Sequence, residues 1–351
     1  MIATCKERMY SFLMHSYLNG IINYALMSPP IAVDDNKTKL ADAELPFDAN
    51  GRLYHLGLKK GEVYSYVISV GDERRARLIA LQFDGAKDMC NSPRSVSSTG
   101  SFGSIDDIEG VFGYRSNRGF VTFSGTYKGL GVSVIAIGMG YPNMDFMVRE
   151  VRVIVDGPLV ILRVGTCGSI AKTGAIGMLA VPNEGSVMVQ RNYDYPFNVS
   201  QTSLLIVDNE EPYRISKQYL PDKNLTECLQ KTIKASDVPL LLGRNASSDS
   251  FYASQGRKTQ YFNDTNELLI EQLISRSVST VEMETAQLFH LASMVRDLSL
   301  NGIHASAVHI VVADRARQVF LTDPEEREKL DALAGHVALE TLLAFNVNIC
   351  K

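Results

Sequence analysis

Arginines that follow or interrupt apolar runs are the residues of this sequence most able to do chemistry. Gly71 and Arg75 come directly after the apolar run 66–70, and Arg163 lies inside the run 159–164. A glycine lets a backbone N–H approach an anion closely, and a guanidinium can hold an oxyanion through two parallel hydrogen bonds. Burying an arginine side chain without a partner costs free energy, so the position of Arg163 within an apolar run predicts that an anion binds nearby.

The turn after the second run adds further anion-binding groups. Residues 165–168, Gly-Thr-Cys-Gly, offer backbone N–H groups and a hydroxyl in the manner of a phosphate nest, without the lysine of a nucleotide-binding P-loop. The pair Gly138 and Gly140 is an incomplete dinucleotide fingerprint, because Asn143 stands in place of the third glycine. Taken alone, the segment that contains Gly71 and Arg75 is also typical of a solvated turn with surface arginines.

Two further motifs suit a nucleoside. Phe251, Gln255 and Arg257 combine an aromatic ring, an amide that donates and accepts, and a guanidinium that only donates. Such a set can recognise a planar ring such as uracil. Glu282 and Glu284 flank a methionine, and a carboxylate can accept two hydrogen bonds from a vicinal diol such as that of a ribose. Taken alone, these motifs are also typical of a polar loop and of acids at a helix start.

The elements that must position these residues alternate between strands and helices. Apolar runs without strict alternation predict strands covered on both faces, at residues 66–70, 132–137, 159–164, 176–181, 240–242 and 307–312. Helical spacing of apolar residues, or a proline and acids at a helix start, predicts helices at residues 144–155, 284–298 and 324–343. The alternation predicts an α/β fold with a central sheet.

Length and composition exclude several classes of protein. The chain has 351 residues, 45% of them hydrophobic and 21% charged, which excludes a disordered, collagen-like or coiled-coil chain. A formal net charge of −4 offers no basic excess for nucleic acid. A single hydrophobic core stops growing at roughly 250–300 residues, so this chain has more residues than one core needs. We assign the extra residues to two segments outside the core. They are an N-terminal extension at 1–50 and a flexible Ser/Gly-rich insertion at about 85–117 within a domain spanning 51–351.

The cysteines and the N-terminal segment favour a cytoplasmic protein. The five cysteines are scattered and none has Cys-x-x-Cys spacing, which predicts reduced thiols rather than a zinc site or a disulfide framework. Residues 9–27 are fairly apolar but include polar residues and no clear cleavage pattern. This favours a packing helix over a signal peptide or a membrane span, so we expect no membrane association.

In their order along the chain, the motifs resemble those of the nucleoside phosphorylase superfamily, most closely its uridine-specific members. The matching segments lie at 55–58, 71–72, 163–168, 247–252, 255–257 and 281–286. The resemblance implies a single α/β domain with a central mixed β-sheet or distorted barrel flanked by helices. It also implies reversible phosphorolysis of uridine to uracil and ribose 1-phosphate, a reaction of pyrimidine salvage that needs no nucleophilic side chain.

The resemblance assigns a role to each matched residue. Phosphate would be bound by Gly71, Arg75, Arg118, Arg163 and Thr166. The ribose would be bound by His55, Met283 and Glu284. The base would be bound by Phe251, Gln255, Arg257, Gly168, Glu282 and Arg315. Catalysis would depend on Arg257, Gln255, Arg163 and Glu284.

The resemblance also implies the co-substrate and the assembly. Phosphate is the co-substrate, and we expect no required cofactor and no metal. Bacterial members hold an interface cation through an acid just after the trans arginine, but Gly119 occupies that position here. His55 and Arg118 would act from the neighbouring subunit, which implies a homo-oligomer with shared active sites. The two additions favour a homodimer over a hexameric ring.

Two alternatives stay open at this point. Asp314 stands where uridine-specific members often carry asparagine, and purine-specific members use an aspartate to protonate the purine ring. A purine nucleoside phosphorylase is therefore the first alternative. The second is a catalytically inactive nucleoside-binding subunit, which the extension and the insertion suggest. A dehydrogenase is disfavoured, because the glycine fingerprint is incomplete.

Overall fold

The computed structural model describes residues 45–89, 103–195, 211–295 and 301–349. The compact unit that contains the candidate site begins at Phe47. The expected helix at 9–27 lies outside the described residues, as does most of the expected extension, and the boundary at residue 50 stays a prediction. Within the described ranges, no helix has both the length and the hydropathy needed to cross a membrane.

The described residues form sixteen strands and six α-helices, numbered in chain order. The strands are β1 (Tyr66–Val70), β2 (Lys87–Asp88), β3 (Gly103–Ser104), β4 (Ile108–Glu109), β5 (Phe112–Arg115), β6 (Val121–Tyr127), β7 (Leu130–Ala136), β8 (Leu159–Ser169), β9 (Leu179–Val181), β10 (Ser186–Arg191), β11 (Tyr213–Ile215), β12 (Leu240–Leu242), β13 (Arg244–Ser248), β14 (Val278–Glu282), β15 (Ile303–Asp314) and β16 (Val319–Phe320). The helices are α1 (Glu73–Ala80), α2 (Tyr141–Ile154), α3 (Lys223–Ala235), α4 (Leu269–Ser275), α5 (Thr285–Ser293) and α6 (Pro324–Ile349).

Fourteen of the sixteen described strands form one large mixed sheet, which confirms the expected fold class, and β2 pairs with β4 in a separate two-stranded sheet. The main order of the large sheet is β11-β10-β13-β14-β8-β1-β7-β6-β5-β3, and β15 adds to β8. Strand β1 pairs in parallel with β7 and β8, and β15 pairs in parallel with β8 along almost its whole length. A strand is present in each of the six predicted runs. Strands β8 and β15 extend beyond the predicted ends, whereas β9 covers only 179–181 of the predicted 176–181. Parallel neighbours place their carboxyl ends at one edge of the sheet, where α/β proteins bind their ligands.

Alternation along the central strands sorts the core onto two faces. In β8, Val160, Leu162 and Val164 pack with α1, α3 and α6, whereas Leu159 and Ile161 pack with α2 and α5. Because successive side chains of a strand point to opposite faces, Arg163 lies on the α2 and α5 face. Ser69 is its register partner on β1 and Ala307 its register partner on β15. Arg163 therefore lies towards the carboxyl end of β8, on the face of the sheet that packs against α2 and α5.

The Ser/Gly-rich interval at 85–117 differs from the expected flexible insertion. Residues 90–102 lie outside the described ranges, but strand β5 pairs with β6 through four residues of the main sheet. Gly113 permits this arrangement, because a Cβ there would lie 2.5 Å from the backbone oxygen of Ile105. Gly113 therefore serves close backbone packing in the second half of this interval.

The bounds of all three predicted helices differ from the predicted ones, and α2 spans Tyr141–Ile154 where the sequence predicts 144–155. Helix α5 begins at Thr285 and ends at Ser293, earlier than the predicted end at residue 298. Helix α6 begins at Pro324 as predicted but continues to Ile349, and its buried side chains extend to Phe345. Of the cysteines, Cys167 and Cys228 are buried free thiols, and the other three lie outside the described residues.

Candidate active site

One cavity of about 410 Å³ lies at the carboxyl edge of the sheet. It collects residues from the ends of β1, β7, β8, β14 and β15 and from the segment after β13. Most of the site residues expected from the sequence line it: Gly71, Arg75, Arg163, Thr166, Gly168, Phe251, Gln255, Arg257, Glu282, Met283 and Glu284. Three expected residues, His55, Arg118 and Arg315, are not among its lining residues.

One end of the cavity forms what we call the anion corner, defined by Gly71, Arg75, Arg163 and Thr166. A Cβ on Gly71 would lie 3.7 Å from Arg75 Nη1 and 3.9 Å from Arg163 Nη2, so the missing side chain leaves open space between two guanidiniums. Helix α1 fixes Arg75, because Asp72 caps the helix by accepting a hydrogen bond from the Arg75 backbone N–H at 2.8 Å. The corner thus presents N–H donors of two arginines to one small space.

A buried ion pair joins the anion corner to the middle of the cavity. Arg163 Nη2 donates to Glu284 Oε2 at 2.7 Å, and both side chains are almost fully buried. The backbone N–H of Gly140 donates to the other oxygen of Glu284 at 2.5 Å. Gly140 has φ +94°, a conformation that favours glycine, and this directs its N–H to the carboxylate. Burial raises the pKa of Glu284, while Arg163 opposes that shift.

Glu282 is saturated by hydrogen bonds from protein groups. Its Oε1 accepts from Asn245 Nδ2 at 2.7 Å and from the Ser247 hydroxyl, and its Oε2 accepts from the backbone N–H of Glu284 at 2.9 Å. The Thr285 hydroxyl donates to Oε2 at 2.9 Å as well. The expectation that Glu282 binds the base therefore has little support from the structure. Its observed contacts fix the turn that presents Met283 and Glu284 to the cavity.

His309 lies behind this turn, on β15, and is fully buried. Its Nε2 is 2.8 Å from the Thr285 hydroxyl and 3.9 Å from Glu282 Oε2, and its Nδ1 has no hydrogen-bond partner among the described residues. Burial lowers the pKa of His309 to about 4; Glu282 opposes the shift and Arg163 adds to it. Burial raises the pKa of Glu282, but His309 and the hydrogen bonds from Ser247 outweigh it, so that this pKa lies below its usual value.

Acidification is therefore expected to destabilise the fold as the pH falls from about 6.5 to about 4. Because the folded-state pKa of His309 lies below its unfolded value, the unfolded chain takes up the proton first. The stability is present above the unfolded pKa and is lost as the pH falls, by up to about 3 kcal/mol. Glu282 acts in the same direction.

Thermal unfolding of the wild type and of His309→Gln between pH 7 and 4.5 measures this effect. The variant should lose less stability on acidification than the wild type. His304→Gln is the matched control, because Asp222 raises the pKa of His304 and its stabilisation is lost at higher pH instead. Parallel curves for the wild type and His309→Gln would contradict the assignment.

The other end of the cavity forms the base corner, defined by Phe251, Gln255 and Arg257. The Arg257 guanidinium lies 4.2 Å from the Phe251 ring centroid, and its Nε donates to the Phe251 carbonyl at 3.2 Å. Burial lowers the pKa of Arg257. Gln255 is buried, and in the described part of the chain its side-chain amide makes no hydrogen bond. The amide and the outer guanidinium nitrogens are thus available to a ligand.

Arg315 lies one layer behind the base corner. It donates to the backbone carbonyl of Gln255, and a Cβ on Gly168 would lie 3.2 Å from Arg315 Cδ. Burial lowers the pKa of Arg315 to about 10, and the charge of Arg257 adds to the shift. Arg315 therefore supports the turn that carries Gln255, and Gly168 makes room for its side chain.

His55 and Arg118 lie together in a cluster whose residues are not among those lining the cavity. Arg118 lies 4.8 Å from the Tyr54 ring centroid and donates to the Tyr54 hydroxyl. His55 stacks on Phe146 with 3.9 Å between centroids, and its Nδ1 lies 2.7 Å from Glu150 Oε1. Tyr54 packs edge-on against His55, so the two residues expected to act in trans form one cluster.

Asp314, the residue that suggested a purine nucleoside phosphorylase, forms an ion pair with Arg317. Its carboxylate accepts hydrogen bonds from the backbone and the guanidinium of Arg317, and these hydrogen bonds lower its pKa. It is buried and is not among the residues that line the cavity. A carboxylate held ionised in this way is a poor proton donor.

Several residues of the site escaped the sequence reasoning. Asp72 had a signal, since an acid just before a helix is a common N-cap. Thr285 and Asn245 hold Glu282, and Arg327 lines the cavity from α6. None of these three has a local pattern that sets it apart from an ordinary helix or strand residue.

In the described ranges, no cluster of histidine, cysteine, aspartate and glutamate has the arrangement of a metal site.

The fold and the cavity together are those of an α/β transferase, an enzyme that transfers a group to an acceptor, and here the acceptor would be an oxyanion. The anion corner and the base corner share one cavity, and a buried carboxylate suited to a diol lies between them. The chain belongs to the phosphorylase superfamily, whose sequence model matches residues 65–327.

Among curated relatives, a uridine phosphorylase of Thermococcus kodakarensis is 26% identical over 307 residues, covering 87% of this chain and 91% of that protein. A DeoD-type purine nucleoside phosphorylase of Brevibacillus brevis is 26% identical over 292 residues, covering 82% and 98%. A solved structure from a study of two uridine phosphorylases of the oomycete Phytophthora capsici is 34% identical, with a TM-score of 0.71 and coverage of 85% and 96%.

Proposed function

We propose that this chain catalyses the reversible phosphorolysis of uridine to uracil and ribose 1-phosphate. The observation that carries the proposal is that one cavity has guanidinium donors at both ends and the Glu284 carboxylate between them. The 34% identical structure comes from work on uridine phosphorylases, which supports uridine as the nucleoside. We place the activity in pyrimidine salvage in the cytoplasm.

The anion corner would bind phosphate and hold it for attack. Arg75 Nη1 and Arg163 would offset the charge of the dianion, and the Gly71 backbone N–H and the Thr166 hydroxyl would add hydrogen bonds. Glu284 and Met283 would bind the ribose hydroxyls, which fixes C1′ relative to the phosphate. Holding two reactants in this way replaces a bimolecular encounter by an intramolecular one and accounts for a large part of the barrier reduction.

The bond changes follow from this placement. A phosphate oxygen forms a bond to C1′ on one face of the ribose while the bond from C1′ to N1 of uracil breaks on the other. The electron pair of that bond leaves with the base, and Arg257 and Gln255 would stabilise the charge at the carbonyl oxygens of uracil. Cys167 lines the cavity, but burial raises the pKa of its thiol, so it stays protonated and is not a nucleophile. Phosphate is the co-substrate, and we propose no cofactor.

Uracil release from uridine in the presence and absence of phosphate tests the proposal. Release should require phosphate and yield ribose 1-phosphate, and inosine should be a poorer substrate than uridine. Release without phosphate would indicate a hydrolase, and faster turnover of inosine a purine enzyme. Uridine binding without turnover would indicate an inactive nucleoside-binding subunit. The pairing of Asp314 with Arg317 supports uridine over the purine alternative.

We also propose a homodimer in which His55 and Arg118 complete the partner's site. The support is that both residues lie in one cluster around Tyr54 and that neither is among the residues lining this protomer's own cavity. Light scattering should give the mass of a dimer, and a hexamer mass would overturn this choice.

A further inference from the structure

Arg327 is a cavity residue that no sequence motif assigns. It lies in the second turn of α6 and lines the cavity together with Arg75 and Arg163. Its side chain is 30% exposed, so it is neither a buried core residue nor a freely solvated one. The Arg327 Nε lies 3.4 Å from the carboxylate of Asp331, and within the described chain its two terminal nitrogens make no hydrogen bond.

Asp331 joins Arg327 to the anion corner. Its side chain is 4% exposed, and its Oδ1 accepts from Arg75 Nε at 2.7 Å. One buried carboxylate on α6 is thus shared by a guanidinium of α1 and a guanidinium of α6. Each arginine contacts Asp331 through its Nε, and Arg75 Nη2 also lies 3.2 Å from Asp72. Arg75 Nη1 would lie 3.7 Å from a Cβ on Gly71, and Arg327 is among the residues that line the cavity.

The charge balance shows what Arg327 contributes. The side chains of three carboxylates contact the arginines of this end of the cavity: Asp72, Asp331 and Glu284. Arg75 and Arg163 alone would leave one negative charge in excess, which is unfavourable for a phosphate dianion. Arg327 restores neutrality. Its long side chain is partly exposed and its described contact with Asp331 is made through Nε, so its terminal nitrogens can bind an anion while that contact is kept.

We propose that Arg327 binds the phosphate co-substrate as an additional arginine from the same chain, with Asp331 positioning both it and Arg75. This inference rests on the proposed function. It assigns part of phosphate recognition to α6, a helix in which the sequence shows only a charged, solvent-facing start.

Steady-state kinetics of Arg327→Gln test the inference. The KM for phosphate at saturating uridine should rise about tenfold, the effect of losing one charge-assisted hydrogen bond. The KM for uridine at saturating phosphate should change less than about twofold, because the base corner is untouched. Arg327→Lys should retain part of the phosphate affinity, since it keeps the charge but not the planar fork.

Arg74→Gln is the matched control. Arg74 pairs with Glu328 across the same contact of α1 with α6, but it is not among the cavity-lining residues. Its KM values for both substrates should stay at the wild-type level. An unchanged phosphate KM in Arg327→Gln, or an equal rise in Arg74→Gln, would overturn the inference and indicate a merely structural ion pair.

Calorimetric titration with inorganic phosphate in the absence of nucleoside separates this inference from the proposed function. Weaker phosphate binding by Arg327→Gln supports the inference even if the wild type does not turn over uridine, in which case only the proposed function fails. Equal phosphate affinity of the two proteins, with uridine turnover in both, refutes the inference alone.

Discussion

Replacing Arg163 by methionine is expected to reduce kcat/KM for uridine phosphorolysis by about 1000-fold or more. The Nη2 nitrogen of Arg163 both faces the space beside Gly71 in the anion corner and donates to Glu284. The variant would lose a phosphate donor and would also leave the diol-binding carboxylate without its partner. Both reacting partners would therefore be misplaced, which is why the effect should exceed that of one lost hydrogen bond.

The same variant should lose stability, and a double variant isolates that loss. A buried ion pair broken on one side costs about 3–5 kcal/mol, because the other charge is left unpaired. Arg163→Met combined with Glu284→Gln should recover most of that stability, since neither charge remains, yet stay inactive. Thermal unfolding and uracil release measured on the same preparations check both parts. A double variant no more stable than Arg163→Met would show that the ion pair is not the source of the loss.

Replacing Arg257 by alanine is the second substitution with a large expected effect. We expect kcat/KM for uridine to fall about 100- to 1000-fold, the cost of removing one well-placed donor to a developing anion. Folding stability should change by less than about 1 kcal/mol, because the described hydrogen bond and ring contact of the partly exposed Arg257 side chain both involve Phe251. Lys258→Ala, at the exposed neighbouring position, is the matched control and should keep wild-type activity.

A substrate with a better leaving group shows whether Arg257 acts on the departing base. 5-Fluorouracil is more acidic than uracil, so 5-fluorouridine needs less stabilisation of the leaving anion. The loss caused by Arg257→Ala should therefore be smaller with 5-fluorouridine than with uridine. An equal loss with both substrates would indicate that Arg257 contributes to binding alone.

The general position of the site could be predicted from the sequence because its motifs follow apolar runs. Arg75 lies in the first turn of α1, directly after β1, and Arg163 lies in β8. Strands β1 and β8 pair in parallel, so their carboxyl ends lie at the same edge of the sheet. The distinction between Glu282 and Glu284 could not be predicted in this way. The chain passes from β14 into α5 between them, which turns the first carboxylate into the protein and the second towards the cavity.

The residues that α6 and β15 contribute to the site and its support could not be predicted from the sequence for a different reason. Arg327 and Asp331 are four residues apart on a helix, a spacing that in sequence indicates an ordinary exposed ion pair. Only the packing of α6 against α1 brings Asp331 to Arg75. His309 stands within an apolar strand, where a single polar residue is more often satisfied locally than functional. Contacts between elements distant in sequence carry this information.

The two corners of the cavity differ in how the chain supplies them. The base corner comes from one short continuous segment, 251–257, whereas the anion corner is assembled from parts of the chain that are far apart in sequence. Changes within that single segment can therefore alter which base is accepted while the phosphate end stays intact. Such a division of labour lets nucleoside preference diverge by local sequence change, which fits a superfamily whose members are named for pyrimidine and for purine nucleosides.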